Sequence, residues 1–81
     1  MSQVIERTQT ATHVYFIRKG WRGAFEAEFR PLNPKTGNPW QASRRIVHGA
    51  DIEPPGWAGR LIAFSTIEKA RAAVAWKQQN I

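Results

Sequence analysis

The sequence predicts a small α+β domain: an antiparallel sheet of three to four strands with one C-terminal helix packed on one face. Three features predict it. Phe25, Ala27 and Phe29 alternate with Ala24, Glu26, Glu28 and Arg30, the period of two expected of a strand with one buried face. Residues 31–39, PLNPKTGNP, hold three prolines, two asparagines and a glycine, so they form a long turn and not a central strand. Ser65-Thr66-Ile67-Glu68 has the form of a capping box and opens a run of strong helix formers.

Taken in order, residues 1–11 are polar and read as a flexible N-terminal arm, with the α+β domain over 12–81. Thr12 to Arg18 is β-branched and aromatic, which suits a strand. It is apolar on both parities, so both its faces are expected to be partly covered. Lys19-Gly20-Trp21 reads as a turn into the strand at 22–30, and Thr36-Gly37-Asn38 as the tip of the following hairpin loop. A third strand is expected over 40–47, with Trp40, Ala42 and Ile46 inward and Gln41, Ser43 and Arg45 pointing to solvent. Arg44 then has inner parity and is expected to snorkel at the sheet edge. Residues 48–59 are rich in Pro and Gly and read as loop, and 60–64 as a short fourth strand. The helix is expected over 66–79, with Ser65 as its cap. Ile67, Ala70, Val74 and Lys77 share one stripe, flanked by Ala73, and Trp76 falls to its side.

Composition limits the chemistry. Among 81 residues there is no cysteine, so neither a disulfide framework nor a thiolate zinc site is available. The first residues lack the apolar run of a signal peptide, and no stretch approaches the roughly 20 apolar residues of a membrane helix. The expectation is a cytoplasmic protein without a membrane partner. The net charge is +6, and it is unevenly placed. Residues 1–45 hold eight cations against three carboxylates, whereas residues 46–81 hold four against three. A basic field of this kind favours polyanions or acidic surfaces, or serves solubility alone.

Catalytic constellations are sparse. His48, Asp51 and Glu53 share a loop, where polar turn chemistry accounts for them. His13 has no partner visible in sequence. Ser65 is better explained as a cap than as a nucleophile. Lys35-Thr36-Gly37 lacks the glycine pattern and the following helix of a phosphate loop. Glu26 and Glu28 share a strand face as ordinary solvated carboxylates would. The expectation is a non-enzyme with no cofactor, no metal and no small-molecule substrate.

Binding features are stronger. Arg18, Lys19 and Arg22 surround Trp21, Arg44 and Arg45 follow Trp40, and Arg30 and Lys35 lie between them. Arginine binds phosphate and reads guanine, and aromatics stack on bases. Arg18, Lys19, Arg22, Arg30, Lys35, Arg44 and Arg45 are therefore the candidate nucleic-acid contacts, with DNA as the expected ligand. The same face carries Glu26 and Glu28, which oppose phosphate unless they hold neighbouring arginines or accept from cytosine amino groups.

Gly20-Trp21-Arg22-Gly23-Ala24-Phe25-Glu26-Ala27-Glu28-Phe29-Arg30, the Thr36-Gly37 turn and Phe64-Ser65-Thr66-Ile67-Glu68-Lys69-Ala70 carry a resemblance over residues 13–78. Together they resemble the arm-type DNA-binding domains of tyrosine recombinases and the ethylene-response-factor-type domains of plants. Those domains lay a three-stranded sheet backed by one helix into the major groove. The resemblance implies Arg18, Arg22, Arg30, Arg44 and Arg45 as contacts, although here residues 48–59 intervene between the third strand and Phe64. In size and style the chain also resembles the small accessory proteins of phages and mobile elements, including anti-CRISPR inhibitors. That resemblance implies a host protein as partner, with Trp57 and Trp76 as anchors.

Overall fold

A computed structural model describes residues 3–20, 23–47, 50–52 and 64–80. Five strands, β1 (Gln3–Gln9), β2 (His13–Lys19), β3 (Phe25–Pro31), β4 (Arg44–Val47) and β5 (Ala50–Ile52), form one antiparallel sheet in chain order. One helix, α1 (Ile67–Gln79), packs across β2, β3 and β4. The fold is α+β, an antiparallel sheet with a C-terminal helix on one face.

The alternation in β3 works as the sequence predicts. Ala27 and Phe29 are buried under the helix with Tyr15 and Ile17 of β2, Ile46 of β4, and Ala70, Ala73 and Val74 of α1. The helix presents small residues to the sheet, so the two layers approach closely. Phe25, Phe64, Ile67 and Trp76 close the rim of this core. Gly23 and Gly37 both have φ of +75°, which an L side chain rarely adopts. Gly37 sits at the expected hairpin tip, its N–H bonded to the Asn33 carbonyl at 2.7 Å.

Three local expectations are corrected. Residues 3–9 are not a loose arm but the edge strand β1, paired with β2 from Gln3↔Lys19 to Gln9↔Val14 with a bulge between Val4 and Glu6. Arg71 of α1 clasps it by donating to Glu6, with Nε at 2.8 Å. The third strand begins at Arg44, not at Trp40. Pro31 has no N–H for the ladder, the regular β3–β4 pairing ends at Phe29↔Arg44, and residues 41–43 stand off it, so Trp40 (53% exposed) and Ala42 are exposed instead of inward. Ala50–Ile52, expected as loop, is β5. Of the expected strand at 60–64, only Phe64 is described, and it forms a single bridge to Phe25.

The helix starts as expected but with a different cap. Thr66 is extended, and its Oγ1 accepts from the Lys69 N–H at 3.2 Å. Ser65 instead accepts from the Lys69 ammonium at 3.2 Å. A cap of this type contributes about 1 kcal/mol. Trp76 is half-buried at the edge of the helical stripe.

Candidate functional site

The sheet face opposite the helix is built by the even-numbered residues of β2 and β3, together with Arg45 of β4. Strand register sets Arg18 opposite Glu26 and Glu28 opposite Arg45. The ion pairs form along the diagonals. Arg18 Nε donates to Glu28 Oε1 at 2.9 Å, and Arg45 Nη2 donates to Glu26 Oε1 at 3.2 Å. Arg18 also lies 5.7 Å from the Phe16 ring centroid, within cation–π range. The result is a four-residue cluster, the two glutamates of β3 flanked by one arginine from β2 and one from β4, whose formal sum is zero.

This cluster corrects the expectation that Arg45 points to solvent. Its side chain is only 5% exposed. Its Nε and Nη1 are buried and have no hydrogen-bond partner among the described residues, an arrangement that costs stability. Arg18 is 29% exposed, with its Nε committed to Glu28. The carboxylates that opposed a DNA-binding reading are therefore arginine partners, one of the two arrangements in which the sequence reading tolerates them; Arg45 is buried by this pairing, and Arg18 keeps part of its side chain exposed.

The remaining candidates lie at the ends of strands and in the hairpin loop. Lys19 is exposed at the end of β2, and Arg44 is exposed at the start of β4. Lys35 is exposed in the hairpin loop, where its N–H donates to Asn33 Oδ1 at 2.8 Å. No helix follows this loop, so it is a turn and not a phosphate cradle. Arg30 is half-buried, and its Nε donates to the Gln41 carbonyl at 2.7 Å. Arg22 and Trp57 lie outside the described residues. Trp40, which the sequence assigned to the core, is the most exposed of the large hydrophobic residues described. The signal that could have revealed it is Pro31 standing opposite this stretch.

Two further features flank the core. Trp76, Phe64, Ala72, Ala73 and Lys69 line an apolar groove of about 350 Å³. At the far end of β2, the His13 ring lies 5.7 Å from that of Phe29, and Lys77 Nζ lies 4.8 Å from the same Phe29 centroid. Burial, and then the charge of Lys77, hold the His13 pKa below its ordinary value. Its Nδ1 is 2.8 Å from Thr12 Oγ1. Arg71 likewise holds the Glu6 carboxyl below the usual range.

Among the described residues there is no group of three His, Asp or Glu side chains placed to hold a metal ion. His48 and Glu53 lie outside them. No described helix is long and apolar enough to cross a membrane. No protein-family model, curated protein or solved structure matches the chain.

Proposed function

We propose that this chain is a non-catalytic nucleic-acid-binding domain that contacts phosphate through the cations around its sheet, not through the middle of the face opposite the helix. One observation carries the reading. Glu6, Glu26 and Glu28 each hold an arginine within the framework. The acidic charge of the first half of the chain is thus consumed internally, and the positive excess falls on exposed side chains such as Lys19 and Lys35. Phosphate binding by such cations releases counterions and weakens steeply with salt.

Fluorescence anisotropy with labelled duplex and single-stranded DNA across a salt series tests it. The double variant Lys19→Ala/Lys35→Ala is expected to weaken binding irrespective of sequence and to flatten the log–log salt slope by up to about two units. Absence of binding to either DNA at low salt would overturn the reading.

The apolar groove beside Trp76 favours a second reading, in which the domain binds and blocks a protein partner, as a phage or mobile-element accessory protein would. Tryptophans are enriched at interface hot spots. In that case Trp76→Ala abolishes binding, and salt has little effect.

A further inference from the structure

We infer that Trp40 is a stacking platform for an unpaired base, so that the preferred ligand is a single strand; this rests on the nucleic-acid reading above. Trp40 is 53% exposed, and the core does not require its indole. Its neighbours in the chain are nonetheless tied to the sheet. The Trp40 N–H bonds to the Pro31 carbonyl at 3.4 Å, and Leu32 and Pro39 form a bridge just before it. Immediately after it, the Gln41 carbonyl accepts from Arg30. An aromatic ring displayed on a braced loop loses less freedom on binding than one on a loose tip.

The surroundings fit a nucleic-acid strand. Residues 31–47 contain Lys35, Arg44 and Arg45 and no carboxylate. Arg45 is internally paired, but Lys35 is exposed in the same loop, and Arg30 is anchored to the residue that follows Trp40. An exposed indole on a segment that also carries cations and no carboxylate provides both elements of single-strand binding: a π-face for the base and charge for the backbone. Bases within a duplex already have both faces stacked, so they offer Trp40 no surface. The charge cluster on the face opposite the helix has no net charge, and its Arg45 is buried, so that face offers little to a major groove.

The test compares an unstructured oligothymidine strand with a duplex of equal length by fluorescence anisotropy, using the full chain. The wild type is expected to bind the single strand more tightly. Trp40→Ala should weaken single-strand binding by about tenfold or more and leave the salt slope unchanged, because stacking releases no counterions. Trp40→Phe should recover part of the loss. Circular dichroism checks that each variant is folded, and Trp40→Gln serves if the alanine variant is not. Equal single-strand binding by the wild type and Trp40→Ala, or a wild-type preference for duplex, overturns the inference while leaving nucleic-acid binding in place. Failure of the wild type to bind either strand form at low salt removes both.

Discussion

On the helix-facing side of the sheet, Tyr15, Ile17, Ala27, Phe29 and Ile46 are closed over by Ala70, Ala73 and Val74. On the opposite side, the positions between them hold Arg18, Glu26, Glu28 and Arg45, and two of these, Glu28 and Arg45, are as deeply buried as the core. The same period of two therefore serves two different physical ends. Apolar burial is stabilising roughly in proportion to area, at about 1.5–3 kcal/mol for each large side chain. A buried ion pair returns little net stability once desolvation is counted, but losing one partner is costly. The helix side thus supplies stability, and the charged side constrains which arginine meets which glutamate, and so the register of β2, β3 and β4.

The largest effect of a single substitution is expected on the apolar side. Ile46 is fully buried, and Ile46→Ala is expected to cost about 2–5 kcal/mol by chemical denaturation. On the charged side a single change and a paired change should diverge. Glu26→Ala strands the buried Arg45 guanidinium and should cost about 2 kcal/mol, less than for a fully buried pair because Glu26 retains 18% exposure. The double variant Glu26→Leu/Arg45→Met should recover this loss or exceed wild-type stability. If the double variant is no better than the single one, the charged block contributes net stability and the contrast between the faces fails.

The smallest expected effect is on pH dependence, and it separates His13 from the charge block. The folded-state pKa of His13 lies below its ordinary value of 6.5. The unfolded chain therefore takes up the proton first, and acid favours unfolding. This contribution is complete above pH 6.5 and is lost as pH falls through the depressed value. Melting temperature is expected to decline over that window in the wild type and to flatten there in His13→Gln. Glu6 also has a lowered pKa, so its contribution is lost in a more acidic window, below 4.5, and should persist in the His13 variant.

Much of this architecture is legible in the sequence, for identifiable reasons. Strand β3 announces itself because one of its faces is apolar and the other charged. Helix α1 announces itself through its helix formers and the hydroxyls at its start, although the capping-box pattern points to Ser65 and the neighbouring hydroxyl of Thr66 takes the cap. Strand β1 has no such mark. As an edge strand exposed along most of its length, it needs no apolar alternation, so its sequence resembles a polar arm. The candidate site was harder to read still. Whether Arg18 and Arg45 meet phosphate or glutamate depends on strand register, which brings residues 18, 26, 28 and 45 together across two connections. The exposure of Trp40 depends on where the β3–β4 ladder stops.

The order of elements along the chain has a consequence for synthesis. All five strands precede α1, and each pairs with its immediate predecessor, so the meander can assemble from near-neighbour contacts as the chain emerges. Its apolar side, with Tyr15, Ile17, Phe29 and Ile46, then waits uncovered until the helix has been made. The clasp between Arg71 and Glu6, separated by 65 residues, closes only at that late stage. During the interval the nascent sheet is at its most aggregation-prone.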